Sequence, residues 1–252
     1  MSGHSKWATI KRKKAAEDAK RGKVFTRLVR EIMLAAREGG GDPDTNVRLR
    51  LAIDKARNAN MPSENIERAV KRGTGEGYEG IEFEEVCYEG YAPFGVALMI
   101  ECVTDNRNRS VAEIRHVLNR YGGNLGEGGS VAWQFSRQAY FAFPANDRNL
   151  DQIFDLAVES GAEEVKLDDP ELIEIFAPLE YFKTMSDQLE RVGIIPDEAG
   201  LRMIPKQELE LEPEETLKIM RLIEALEELD DVQNIYSNLY ISDEMISQVE
   251  MA

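Results

Sequence analysis

Ten lysines and arginines crowd the opening stretch MSGHSKWATIKRKKAAEDAKRGKVFTRLVR: Lys6, Lys11, Arg12, Lys13, Lys14, Lys20, Arg21, Lys23, Arg27 and Arg30, against only Glu17 and Asp18. The chemistry open to such a run is ion pairing with a polyanion, and a nucleic-acid backbone is the commonest polyanion a protein meets. Trp7 lies among these cations, where a flat indole can pack on a base or a groove wall. The contrasting reading is a solvated tail with one aromatic attached to the core. The candidate contacts are therefore Lys6, Trp7, Lys11, Arg12, Lys13, Lys14, Arg21 and Lys23. A second polar cluster, Thr104-Asp105-Asn106-Arg107-Asn108-Arg109, suits a helix cap and also offers Arg107 and Arg109 to a partner.

Other chemistries find little support. His4, His116, Cys87 and Cys102 lack the spacing of a zinc site, so no metal is expected. Gly122–Gly129 is read as a turn, because it lacks the Lys-Ser/Thr that would hold phosphate and magnesium. Ser130 follows Gly-Gly without a nucleophile-elbow frame. Asp168/Asp169 and Glu214/Glu215 read as a turn and a helix start. The expectation is a protein with no catalytic residues and no cofactor.

The chain has 252 residues, 42% of them hydrophobic and 8% aromatic, enough to build real cores in two domains or three small ones. No apolar run reaches the roughly 18 residues of a membrane span, and the N-terminus lacks the apolar centre of a secretion signal. Cys87 and Cys102 in apolar surroundings read as reduced, buried thiols. A cytoplasmic protein without membrane partners is expected. The net charge is −16, yet residues 1–80 carry 18 Lys/Arg against 11 Asp/Glu. The remainder is correspondingly acidic, which argues for separate modules with separate partners.

These cations need elements to position them. Phe25, Leu28, Val29, Ile32, Met33 and Ala36 form one stripe of a helix over 17–37, with Lys20, Arg27, Arg30 and Arg37 pointing to solvent. Leu49, Ala52, Ile53 and Ala56 mark a helix over 45–58. Ser63 is the expected N-cap of a third helix through Arg72, with Ile66, Ala69 and Val70 inward. Gly73–Gly80 reads as a linker. Beyond it the pattern predicts strands at 83–88 and 96–103, a helix over 107–121 and a strand over 130–135. Residues 139–205 follow as strand, helix, strand, strand, helix and strand, the ferredoxin-like order. A last helix, 214–228, and strand, 232–236, cannot make a core alone and are expected to complete the layer begun at 81. The fold class is thus α+β. Domains are expected at 1–80 (basic helical bundle), 81–135 with 206–252 (two-layer α/β) and 136–205 (an acidic ferredoxin-like insertion).

Gly3-His4-Ser5-Lys6-Trp7, Ile10-Lys11-Arg12-Lys13-Lys14, Arg21-Gly22-Lys23, Asn60-Met61-Pro62 with Asn65-Ile66-Glu67-Arg68, Tyr88-Glu89-Gly90-Tyr91, the Thr104–Arg109 run and Gly122-Gly123 through Gly129-Ser130-Val131 together resemble the YebC/PmpR family. The motifs span residues 1 to about 135; beyond them the match is in length and element order. Two departures stand out: Tyr91-Ala92-Pro93-Phe94-Gly95, where the family usually has glycines around the proline, and Ser110 in place of the usual Thr. The resemblance implies a non-enzymatic regulator of gene expression built of three domains. It implies either a DNA-binding transcriptional regulator or, as in other relatives, an RNA-binding translation factor at the ribosome. The expected partner is duplex DNA or ribosomal RNA, and the expected state a monomer or weak oligomer.

Overall fold

The structure, a computed structural model, describes residues 18–75, 83–146, 148–167 and 172–242. The chain divides into two compact units, one formed by residues 135–206 and the other by the sequence on either side of it.

The stripe on α1 (Asp18–Gly39) packs against α2 (Val47–Asn58) and α3 (Ser63–Gly73). Leu28, Ile32, Ala35 and Ala36 meet Leu49, Ala52, Ile53 and Ala56 from α2 and Ile66 and Ala69 from α3. At Gly40 the backbone turns left-handed (φ +85°) and its N–H donates to Ala36 O at 2.9 Å, closing the helix. Buried Asn46 starts α2: its side-chain oxygen accepts from Leu49 N at 3.1 Å, and its amide donates to the Ala35 and Gly40 carbonyls, each at 2.8 Å. One side chain therefore caps a helix and ties it to its neighbour. The expected Ser63 cap is not used. Pro62 occupies the N-cap position with no side-chain bond, and its carbonyl takes the Asn65 and Ile66 amides instead.

Beyond the bundle, β1 (Glu84–Tyr91) and β2 (Ala97–Thr104) form a hairpin, and α4 (Arg107–Arg120) and β3 (Asn124–Leu125) follow. The chain then builds the 135–206 unit from β4 (Phe135–Pro144), α5 (Leu150–Glu159), β5 (Glu164–Lys166), β6 (Leu172–Ala177), α6 (Phe182–Arg191) and β7 (Glu198–Pro205). It returns through α7 (Pro213–Glu227) and β8 (Val232–Ser237).

The first sheet is antiparallel in the order β3-β1-β2-β8. Leu98, Ile100 and Cys102 of its central strand pack on Ile114 and Leu118 of α4 and on Ile219, Leu222, Ile223 and Leu226 of α7. The second sheet, β5-β6-β4-β7, is antiparallel throughout, the ferredoxin-like arrangement. Tyr140 lies against Phe176 with ring centroids 5.3 Å apart, Phe141 stacks on Phe182 at 5.1 Å, and the Tyr140 hydroxyl donates to buried Glu174 at 2.7 Å.

The strand expected over 130–135 does not form. Ala132–Gln134 is a single 3-10 turn, and the first sheet gains the two-residue β3 from within the glycine-rich run instead. Val131 is fully buried, which mimics a strand in the sequence pattern. Its N–H goes not to a ladder but to the Glu89 carboxylate at 2.7 Å, joined by those of Gly129 at 2.6 Å and Ala132 at 2.8 Å. Phe135 then opens β4 opposite Pro205.

The cysteines also part from expectation. Cys102 is buried, but Cys87, facing the other way one strand over, is exposed. Burial pushes the Cys102 thiol up to about 12, with Asp231 adding to the effect. Thiolate being the reactive form, an aromatic disulfide reagent at pH 8 is expected to titrate Cys87 in the native protein and Cys102 only on unfolding. Equal rates for the two would contradict the burial.

Candidate nucleic-acid interface

Lys6, Trp7, Lys11, Arg12, Lys13 and Lys14 lie outside the described residues, and Arg21 falls on α1 with its side chain outside them. Lys23, Arg107 and Arg109 are described. Lys23 Nζ donates to Glu228 O at 2.9 Å, a contact from the bundle to the end of α7. Arg107 makes a two-pronged pair with Glu84, both bonds at 2.6 Å. Arg109 Nη2 reaches Asp105 at 2.7 Å and Asp231 at 3.0 Å. The two arginines that the sequence offers to a partner are thus both engaged in ion pairs.

Asp231 is the centre of this arrangement. Its carboxylate is 3% exposed and accepts from Thr104 Oγ1 at 2.9 Å and Ser110 Oγ at 2.7 Å as well as from Arg109. Arg30, from α1, completes the set at 2.9 Å. The Asp231 backbone carbonyl takes the Val103 amide at 2.9 Å. Burial alone would raise the carboxyl pKa. The bonds from Ser110, Arg109 and Thr104, with the charge of Arg30, outweigh it and hold the group below the usual aspartate range. The helix-capping half of the Thr104–Arg109 reading is realised as well: Asn106 is the N-cap of α4 and accepts from Arg109 N at 3.1 Å.

Arg27 and Arg30 of α1 correct the expectation that they face solvent, whereas Arg37 is exposed as expected. Arg30 lies over Phe83 at 5.4 Å from the ring centroid, pairs with Asp231 and also donates to Asp230 O. Arg27 is half-buried, and burial lowers its pKa against the opposing charge of Asp230. Its Nε has no hydrogen-bond partner among the described residues. A helix that packs on two surfaces carries a second inward face, and a polar one leaves no mark on an apolar-periodicity reading. Arg48 repeats the pattern from α2, bridging Glu38 at 2.5 Å and Glu85. Burial disfavours its charge, but Glu85 and Glu38 more than compensate and raise its pKa.

Bundle cations therefore differ in setting, and Lys55 pairs within the bundle with Glu31 at 3.1 Å. Lys23, Arg30 and Arg48 engage groups on β1 and at and just beyond the end of α7. Arg37, Arg57, Arg68 and Lys71 are exposed, Arg57 and Arg68 sharing charge with Asp54 and Glu64 of their own helices. A cleft of about 360 Å³ lies at the seam, lined by Arg30, Phe83, Arg109 and Asp231 among others, and both its guanidiniums are paired. Asp231 left no signal in the sequence: it stands 121 residues from Ser110 and beside ordinary turn acids. Among the described residues no group of His, Cys, Asp and Glu is placed to hold a metal ion, and no helix is long and apolar enough to cross a membrane.

Comparison with known proteins places these elements in company. Residues 5–76 match a family model described as the TACO1/YebC protein N-terminal domain, and residues 83–239 one described as the TACO1/YebC second and third domain. A protein of Acidithiobacillus ferrooxidans, named a probable transcriptional regulatory protein, is 54% identical over 250 residues, covering 99% of both chains. A Nitrosococcus oceani protein with the same name is 51% identical over 249 residues, 99% of this chain and all of that one. The crystal structure of a conserved hypothetical protein from Aquifex aeolicus superposes with a TM-score of 0.82 at 45% identity, covering 90% of this chain and 93% of that one.

Proposed function

Since the chain belongs to the TACO1/YebC family, we propose that it is a non-enzymatic, DNA-binding transcriptional regulator that docks through its basic N-terminal module. The observation that carries this is the charge distribution. A chain of net charge −16 concentrates ten cations against two acids in its first thirty residues, and a polyphosphate is the partner that such an end selects. The name shared by the relatives supports a regulatory role. In this reading Lys6, Lys11, Arg12, Lys13, Lys14, Arg21 and Lys23 meet phosphates, which positions the protein without reading sequence. Trp7 adds a base or shape contact. Arg107 and Arg109, held in ion pairs with Glu84, Asp105 and Asp231, support the module's placement and join the contact only if phosphate displaces a carboxylate.

A second reading, a ribosome-associated RNA-binding translation factor acting in the cytoplasm, draws support from the absence of a helix-turn-helix signature in the sequence. Without one, recognition by shape or of unpaired nucleotides is favoured over base-specific readout of a duplex.

The test is a salt series. Affinity for duplex DNA is expected to fall linearly on a log–log plot, with a slope of about −0.9 per phosphate neutralised. Replacing Lys11, Lys13 and Lys14 together by Ala should flatten that slope by roughly two to three units. An unchanged slope would remove these side chains from the contact. Parallel titrations with ribosomal RNA fragments decide between the two readings by which ligand survives at physiological salt.

A further inference from the structure

We propose that the outer face of α5 is a docking surface for a basic amphipathic helix of a partner protein. The surface lies wholly within the 135–206 unit, so it does not depend on what the basic arm binds.

Helix α5 carries three rows of side chains along its length. Ile153 and Ala157 are buried and form the inward row. Leu150, Phe154 and Val158 recur at four-residue spacing and are 39%, 47% and 51% exposed. Asp151, Asp155 and Glu159 repeat that spacing one residue on, all exposed. Successive residues are turned by about 100° around a helix, so an apolar rail runs beside an acidic one. Single exposed apolar side chains are ordinary on a protein surface. Three in register over two turns make a continuous strip of about 12 Å.

The strip is held in shape at both ends. Asn149 caps the helix, its side-chain oxygen accepting from Asp151 N at 3.1 Å and Gln152 N at 3.3 Å. At the other end Ser160 Oγ donates to Leu156 O at 2.6 Å. Gly161 then turns left-handed (φ +93°), and its N–H returns to Val158 O at 3.1 Å. A Cβ on Gly161 would collide with the ring of Tyr181, which is itself 41% exposed. An exposed aromatic therefore stands at the last turn of α5. A surface ordered before it meets its partner gives up little conformational entropy on binding.

Charge selects the occupant. Residues 135–206 carry 15 Asp/Glu against 7 Lys/Arg, so a nucleic-acid backbone or an anionic lipid surface is repelled. A second copy meets the same obstacle, because two α5 faces laid together set Asp151, Asp155 and Glu159 against their own counterparts. Both rails are satisfied by a helix whose apolar stripe is bordered by Lys or Arg. The apolar row supplies affinity, with Phe154 at its centre as the anchor. The exposed carboxylates add little energy but fix orientation and speed encounter.

The test titrates the full-length chain with labelled peptides of about 18 residues, five helical turns, and reads their anisotropy. One peptide places Leu at three- and four-residue spacing with Lys beside the stripe. A second scrambles that composition to break the stripe, a third replaces Lys by Glu, and a fourth is residues 2–17 of this chain. The striped Lys peptide is expected to bind, and the scrambled and Glu peptides to bind at least about 10-fold more weakly. Phe154→Ser, which changes no charge and alters a half-exposed site, should weaken the striped peptide about 10- to 100-fold. Asp155→Lys should weaken it about 5-fold through slower association. No binding overturns the proposal. So does binding that neither scrambling nor Phe154→Ser diminishes, which would reduce the effect to attraction between net charges. If the peptide of residues 2–17 binds as tightly as the striped one and is lost in Phe154→Ser, the occupant is this chain's own arm and the partner protein is overturned. Sedimentation equilibrium covers the remaining occupant: a dimer that Phe154→Ser abolishes would overturn the proposal in favour of self-association.

Discussion

Replacing Asp231 by Ala is expected to destabilise the unit that contains it by about 3–5 kcal/mol, the usual consequence of removing one partner from a buried charge cluster. The carboxylate is 3% exposed, and four side chains from three separate segments converge on it: Arg30 from α1, Thr104 from the end of β2, and Arg109 and Ser110 from α4. Its loss takes an acceptor from two guanidiniums and two hydroxyls at a buried position. Hydrogen exchange is the measurement that resolves the effect. Protection should fall in α1, in the first turn of α4 and at the Val103 amide, and not in residues 135–206. A denaturation midpoint within experimental error of the native chain would refute the hub. The pH dependence has a definite sign. The native pKa of Asp231 lies below the unfolded value of about 3.9. Its contribution is therefore complete above that value and is lost as pH falls through the native pKa, the unfolded chain binding more protons in between. Asp231→Asn should remove this slope below about pH 4.

Leu118→Ala is expected to cost about 2–5 kcal/mol through lost burial and the cavity left behind. Leu118 is fully buried between the sheet and α7. Its two methyls occupy the space over glycines: a Cβ placed at Gly90 would come within 3.3 Å of Cδ1, and one at Gly123 within 3.4 Å of Cδ2. Smaller neighbours have no side chain with which to fill the hole. Urea unfolding should show a lower midpoint with an unchanged slope. A loss below about 1 kcal/mol would mean that the layer closes over the gap.

Much of the architecture could be read in the residues because single-faced elements announce themselves. The stripes on α2 and α3 recur in the buried sets Leu49, Ala52, Ile53, Ala56 and Ile66, Ala69. The continuous apolar run Ala97–Val103 is a central strand, flanked by β1 and β8. The order of elements over 139–205 dictated the second sheet. Failures cluster where a residue's role is set by a distant partner. Val131 is as buried as any strand residue, but only the position of Glu89 reveals that a carboxylate, not a ladder, holds the segment. Arg27 and Arg30 look like solvent-facing cations until Asp230 and Asp231 arrive two hundred residues later. Cys87 and Cys102 have similar neighbours in sequence, and pairing across the hairpin, not composition, separates their faces. Phe94 is the inverse case. The glycines usual around the proline are missing here, and the structure puts Phe94 at a positive φ, so a departure in the letters marked a real peculiarity of the backbone.

The way the chain enters and leaves the 135–206 unit has a consequence for its genetics. Phe135 and Pro205 face each other in an antiparallel pair, so the strands that open and close the unit meet about 5 Å apart at its ends. A segment whose ends nearly touch can be acquired, exchanged or deleted as a cassette while the host needs only a short bridge across the scar. Its history can therefore run independently of the rest of the gene, with the acidic module free to diverge under one set of pressures while the basic arm answers to another.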